Sequence, residues 1–267
     1  MAVGPQDDTR GIVHPHHLGR AFVLERFAAP PRLDRFVDRF WAVSWALGEG
    51  RSHTQKLVTH PVVNLVFEEG AALLSGVITD TFERRLRGRG RVLGVMFRPG
   101  GFRPFLGRSL STITDRTLPI SDVFGPEGEA LARRLDLSEI DPAREEVSSF
   151  LASRAPETPT RGEEVSEIVE LVQADPSIAS VSELASRLQV HPRRLQRLFA
   201  EHVGVSPRWV VQRARLHAAA EEATRRERRS WGELAAALGY SDQAHLTRRF
   251  REAMGEPPGR YAARLDR

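Results

Sequence analysis

The last third of this 267-residue sequence repeats itself. Leu195-Gln196-Arg197-Leu198-Phe199-Ala200-Glu201, followed by Gly204 and Pro207, recurs 51 residues later as Leu246-Thr247-Arg248-Arg249-Phe250-Arg251-Glu252, followed by Gly255 and Pro258. Upstream, Glu183-Leu184-Ala185 with Leu188 recurs 50 residues later as Glu233-Leu234-Ala235 with Leu238. A fixed period of this size means that one supersecondary unit is used twice. Each copy has two helical segments around a short turn, with one residue of slack between the copies.

Read physically, each copy is a helix-turn-helix. In the first, Ser182 is a good cap for a support helix over Glu183–Arg187, with Leu184, Ala185 and Leu188 inward. Gln189-Val190-His191 form the turn, and Pro192 opens a second helix in which Leu195, Leu198 and Phe199 face inward. Arg193, Arg194, Gln196 and Arg197 face outward. In the second copy the support helix spans Gly232–Ala237 and Gly239-Tyr240-Ser241 turn the chain. Asp242 then caps a helix with Leu246, Phe250 and Met254 inward and Gln243, His245, Thr247 and Arg248 outward. The small Ala185 and Ala235 let the paired helices cross closely. A connecting helix from Pro207 to about Arg226 carries a core stripe of Val210, Val211, Ala214 and Ala218, and Glu163–Ala174 carries another of Val165, Ile168, Val169 and Val172.

The outward residues carry chemistry. Arginine forks onto guanine O6 and N7, glutamine pairs with adenine N6 and N7, and the major groove admits a helix. One such helix is ordinarily a solvated face; two in matching register argue for nucleic-acid binding. Charge supports this. Residues 177–264 hold 16 arginines and nine acids, 161–176 one arginine and five acids, and 1–160 21 basic and 20 acidic residues. All basic residues but Lys56 are arginine. A GC-rich genome accounts for much of that bias, and only position separates it from phosphate and guanine recognition. The run Arg225-Arg226-Glu227-Arg228-Arg229 touches phosphates or lies in a solvated loop, with Arg225, Arg226 and Ser182 as the candidate phosphate contacts. A basic part joined to a neutral part predicts a polyanion-binding module with a separate partner domain.

The front of the chain reads differently. Phe40–Leu47, Val62–Phe67, Ala71–Thr81 and Arg91–Phe97 are short, apolar and rich in β-branched or aromatic residues, with Glu68-Glu69-Gly70 and Gly88-Arg89-Gly90 as turns. Leu33, Phe36, Val37 and Phe40 predict a short helix before the first strand. Glu127–Leu137 and Pro142–Ser153 predict amphipathic helices, the second capped by Asp141. Ser153–Gly162, with Pro156, Pro159 and almost nothing apolar, has the composition of a linker. The expected architecture is a β-rich α+β domain over 1–155, a linker over 156–162, and an all-α domain over 163–267. In the all-α domain a linker helix joins helix-turn-helix units at about 181–203 and 231–255.

Candidate chemistry in the front part is sparse. His14, His16 and His17, or His53 with His60, match no zinc spacing, so no metal or cofactor is expected. The stretch Met96–Leu106, with Gly100-Gly101 between two Arg-Pro pairs, is a structural corner, or else Arg98 or Arg103 lines a pocket for an anionic effector. No nucleophile–base–orienter set or phosphate-cradling loop is visible, so no catalytic residue is named. The absence of cysteine excludes disulfides and thiolate chemistry. No apolar run reaches the 18 or so residues of a membrane helix, and no secretion signal shows at Asp7 and Asp8, so a cytoplasmic protein is expected.

Residues 165–264 resemble the DNA-binding domain of the AraC/XylS family of bacterial transcription regulators. The resemblance is carried by Leu238-Gly239-Tyr240 through Phe250, then Gly255, Pro257-Pro258 and Tyr261, with Arg215-Leu216 and Ala219 in the linker helix. Glu222 and Ala223 depart from the pattern, standing where the family usually has leucines. The resemblance implies that Arg193, Gln196 and Arg197 read one major groove and Gln243, His245, Thr247 and Arg248 the next. Phe40-Trp41, Pro61 with Asn64-Leu65-Val66-Phe67, and Phe97–Phe102, extended by Asp115-Arg116, Leu118-Pro119 and Phe124-Gly125, resemble a poorly characterised N-terminal domain of that family. By analogy this domain senses a signal or mediates dimerisation. Implied partners are double-stranded DNA, RNA polymerase, an unidentified small-molecule effector and a second copy of the chain. The expected function is a non-enzymatic, sequence-specific regulator. Its rivals are an enzyme tethered to DNA by its tail and an architectural DNA-bending protein. The family's alkyl-acceptor repair relatives use cysteine, which this chain lacks.

Overall fold

The structure, a computed structural model, describes residues 11–13, 21–225 and 229–265. Among the described residues the front part is built on eight strands: β1 Val23–Ala28, β2 Val37–Ala46, β3 Ser52–Val58, β4 Asn64–Glu68, β5 Ala71–Ser75, β6 Thr81–Arg87, β7 Arg89–Phe97 and β8 Thr117–Pro119. Six form an antiparallel sheet in the order β1-β2-β7-β4-β5-β8, and β3 pairs with β6 in a separate two-stranded ribbon. In the sheet Phe40 faces Val95 across β2 and β7, and Leu65 faces Val95 across β4 and β7. Phe40 and Ala42 of β2, Leu65 and Phe67 of β4, and Leu93, Val95 and Phe97 of β7 are buried at alternate positions, as a sheet with one covered face requires. The cover comes from α2 Ser121–Arg134 and α3 Ile140–Ala152, whose Leu131, Val147 and Leu151 join Phe67, Leu74 and Phe97 in one apolar cluster.

Four local expectations change. Leu33, Phe36, Val37 and Phe40 are all buried, but the chain makes only a turn at 31–36 before entering β2. Leu33 N–H bonds the Pro30 carbonyl and Phe36 and Val37 N–H both bond the Leu33 carbonyl, but no further helical turn follows, because the aromatic, β-branched run gains more from pairing with β7. The strand expected over Ala71–Thr81 stops at Ser75, because Gly76 abuts the Ile113 carbonyl so closely that no side chain fits there. Asp141 does not cap α3, which starts at Ile140 after Glu139; it pairs instead with Arg144 at 2.9 Å. The earlier helix begins at Ser121 and kinks at Gly125 before Pro126.

Between sheet and helices lie α1 Arg103–Leu106 and a 3₁₀ turn at Leu110–Ile113. The chain then becomes all-helical: α4 Arg161–Ala174, α5 Val181–Arg187, α6 Pro192–His202, α7 Pro207–Ala223, α8 Trp231–Ala237, α9 Gln243–Met254 and α10 Pro258–Leu265. Thr160 and Glu163 form a reciprocal capping box on α4, so the helix begins within the expected linker. Two clusters form here. Val165, Val169, Leu184, Leu195 and Phe199 pack with Val210, Val211 and Ala214 in the first half of α7, while Leu234, Leu246, Phe250 and Tyr261 pack with Leu216 and Ala219 in the second half. The connecting helix thus gives one end to each unit.

Candidate nucleic-acid interface

Both repeats fold as two helices around a short turn, α5–α6 and α8–α9, with the turns closed in the same way. Leu188 and Leu238 end the support helices, and the amides of Val190 and Tyr240 return to the carbonyls of Ala185 and Ala235 at 3.0 and 2.9 Å. At the tightest point Gln189 has φ 53° and its repeat counterpart Gly239 has φ 67°. A left-handed backbone costs a side-chain-bearing residue about 1–2 kcal/mol, and a Cβ on Gly239 would sit 2.7 Å from the Cβ of Ala179. We expect Gly239→Ala to lower stability by about 1–2 kcal/mol, while Gln189→Gly leaves it unchanged or slightly raised. Equal losses in urea unfolding would contradict this asymmetry.

Ser180, not Ser182, caps α5, accepting the Glu183 amide at 3.1 Å; Ser182 lies exposed in the first turn. Both serines precede the apolar stripe, but Ser180 adds Val181 and Ser182 to the helix and brings the amide of Ala179 onto Glu183 at 3.0 Å. Ser230 and Glu233 form the corresponding box on α8, whose bonds hold the Glu233 carboxyl below the usual carboxylate range. The caps of α6 and α9 are His191 and Asp242, with Pro192 in the first turn of α6 as expected.

On α6, Leu195, Leu198 and Phe199 are buried, and Arg193, Gln196, Arg197 and Ala200 are exposed. Arg194 is exposed too, but it turns back to Glu164 of α4 at 3.0 Å, across a groove of about 300 Å³ floored by Ile168, Leu171 and Leu198. On α9, Leu246, Phe250 and Met254 are buried, Gln243, Ala244, Arg248 and Arg249 are exposed, and His245 and Thr247 are half-buried. The repeat aligns Arg193 with Ala244, Arg194 with His245, Gln196 with Thr247 and Arg197 with Arg248. Gln243 therefore matches Pro192, and its side chain stands against Gly232 of the support helix. Ala200 and Ala244 are also exposed on the outer faces, and having no hydrogen-bonding side chain they carry no signal in the sequence.

The end of α7 differs from expectation. It stops at Ala223 with Thr224 as cap, not near Arg226. Buried Glu222 accepts the Arg229 amide at 3.0 Å and pairs with Arg225 at 3.0 Å. Where a leucine would have extended the core, a carboxylate anchors the loop into α8. Arg225 is engaged there, whereas Arg226 falls outside the described residues, as do His14, His16 and His17. Along α7, burial pulls the Arg213 guanidinium down to about 10 and pushes that of Arg215 down as well. Arg213 donates to the Thr79 carbonyl at 2.6 Å and lies over the Trp209 ring; Arg215 lies over that of Tyr240.

Arg98 and Arg103 face the helical part of the chain. Arg98 donates to the Asp34 carbonyl at 2.6 Å and pairs with Glu170 of α4 at 3.1 Å. Arg103 grips Glu201, at the end of α6, through Nε at 2.7 Å and Nη2 at 2.5 Å. Ser109 donates to the Ala200 carbonyl at 2.9 Å and Thr114 to the Gly204 carbonyl at 2.6 Å. Gly100 approaches the backbone of Gly162, and Gly101 the carbonyl of Phe36, too closely for a side chain on either, which accounts for the two glycines of the corner. His60 stacks on His217 with ring centroids 4.4 Å apart, beside a cavity of about 50 Å³ that Arg213 also lines. Neither of these two hollows is lined by Arg98 or Arg103. Among the described residues no cluster of three metal-ligating side chains occurs, and no helix is long and apolar enough to cross a membrane.

Comparison with known proteins gives two family matches. Residues 184–264 match a helix-turn-helix domain, and residues 25–119 match a domain of unknown function. No curated protein matches the chain. Among solved structures the chain is similar to an AraC-type DNA-binding transcriptional regulator from Chromobacterium violaceum, at 25% identity over 37% of this chain and 88% of that one, TM-score 0.33. It is also similar to a DNA-binding transcriptional dual regulator from Escherichia coli K-12, at 18% identity over 42% and 96%, TM-score 0.35. ToxT from Vibrio cholerae is similar at 10% identity over 91% and 98%, TM-score 0.40.

Proposed function

We propose that residues 184–264, which match a helix-turn-helix domain, are the DNA-binding part of an AraC-type, sequence-specific regulator, and that α6 and α9 read two successive major grooves on one face of the duplex. The observation that carries this reading is the matched exposure of Arg197 and Arg248, equivalent residues of the two repeats on the outer faces of equivalent helices. Each is placed to fork onto a guanine edge. Arg193, Gln196, Gln243, His245 and Thr247 complete the two reading faces. Arg194 joins them when it leaves Glu164, a surface pair that costs little to break. Ser182 and the Arg225–Arg226 run lie near the backbone phosphates in this reading.

The proposed layout is a front domain over 1–155, a linker over 156–162 and a DNA-binding domain over 163–267. The front domain acts as a signal or dimerisation module, not as an enzyme. What supports a signalling role is the seam at α6. Arg103, Ser109 and Thr114 hold the C-terminal end of this reading helix and the loop after it. A movement in the front domain therefore reaches the first reading helix directly. A small-molecule effector, RNA polymerase and a second copy are the further partners of this reading, and the cytoplasm is its compartment.

Selection of bound sequences from a random duplex library tests the function. We expect two short conserved blocks about one helical turn apart, with a preference over random duplex of about 10³-fold or more. Even retention of all sequences would replace this reading with that of an architectural DNA-bending protein.

A further inference from the structure

His245 sits beside a short chain of polar groups that decides which of its ring nitrogens carries the proton. The Ser241 hydroxyl donates to Asp242 Oδ2 at 3.3 Å and lies 3.1 Å from His245 Nδ1. Asp242 Oδ1 accepts the His245 backbone N–H at 2.7 Å, and that bond foremost holds the carboxyl below the usual carboxylate range. Asp242 is thus an ionised acceptor with no proton to give, and the serine hydroxyl has a single hydrogen. Were that hydrogen given to His245, the Ser241 oxygen would face the carboxylate with no proton between them. Given to Asp242, it lets His245 Nδ1–H donate to Ser241, and both contacts are satisfied. Tyr240 meets the imidazole edge-on, centroids 5.3 Å apart and planes at 90°, which fixes the ring plane.

The geometry points to His245 as a base reader that accepts and does not donate: the relay Asp242–Ser241–His245 leaves Nε2 with a lone pair. In the major groove the exocyclic amines of cytosine and adenine donate, whereas guanine and thymine offer acceptors at their N7, O6 and O4 atoms. His245 therefore selects an amino base over a keto base at one position of the second half-site, and Ser241 is the positioning residue that sets this choice. The inference rests on the proposed insertion of α9 into a groove. It also distinguishes the two units, because the equivalent residue of α6 is Arg194, which can only donate.

Two measurements on the full chain test it. Nitrogen NMR of the imidazole, without DNA, should show the Nδ1–H form of neutral His245 in the wild type and in Ser241→Thr. In Ser241→Ala it should show a shift toward the Nε2–H form. Selection from random duplex should show about tenfold enrichment of adenine or cytosine at one position for the wild type, kept by Ser241→Thr. Ser241→Ala should lose it with the other positions unchanged, and His245→Ala should lose it too. An Nε2–H wild type, or a Ser241→Ala protein that still prefers amino bases, overturns the relay. If the NMR result holds but the wild type selects no motif, DNA reading fails and the base assignment falls with it.

Discussion

The double variant Arg197→Ala, Arg248→Ala binds its operator more weakly by about 2–6 kcal/mol, each side chain contributing about 1–3 kcal/mol. The two residues belong to helices packed into separate apolar clusters, so their losses should add. Each is exposed and pairs with no acid among the described residues, so truncation removes no support from that part of the fold. Binding titrations at constant salt on a selected duplex and on random duplex give the test. Each single variant should relax one base position in its own half-site and leave the other unchanged. Weakening that is uniform over all sequences would reduce both arginines to phosphate contacts, and the salt slope would then fall by about one unit per residue.

Removing the aromatic anchors of the two units has a comparable effect on stability. Phe199 and Phe250, equivalent in the repeat, are both fully buried. Phe199 lies among Val169, Leu184 and Leu195, and Phe250 among Leu234, Leu246 and Tyr261, whose ring it meets at 5.5 Å. Phe→Ala at either site costs about 3–5 kcal/mol, from lost transfer energy and the cavity left behind. The consequences for DNA differ. Phe250→Ala loosens α9 alone and should abolish protection of one half-site, whereas Phe199→Ala also disturbs the seam that ties Ala200 and Glu201 to the front domain. Denaturant unfolding with footprinting checks both, and a cost below about 1 kcal/mol would mean that the sites collapse around the missing rings.

The helical part was legible because three independent signals coincide there: the repeat, the apolar residues at helical spacing, and the caps. Leu195, Leu198 and Phe199 can face one way only if α6 is a helix, and the matching Leu246 and Phe250 fix its partner. The strands were legible where β-branched and aromatic residues cluster, as in β2 and β7. Pairs between distant residues were not. Nothing local says that Arg194 reaches Glu164, or that Arg98 and Arg103 reach Glu170 and Glu201, because these partners meet only after the front and helical parts dock. Composition likewise hid the use of Glu222, a buried carboxylate that earns its place by holding the loop into α8. The turn at 31–36 misled because Leu33, Phe36, Val37 and Phe40 are all buried, as a helical stripe would be, but by pairing and packing against the sheet.

Hydroxyl-radical footprinting of the full chain on a selected operator tests the central claim most directly. Two reading helices on a shared connecting helix should protect two patches on one face of the duplex, with centres about 10 base pairs apart. The Arg248→Ala variant should thin the second patch and spare the first. A single patch, or two patches on opposite faces, would contradict the placement of α6 and α9 in successive major grooves.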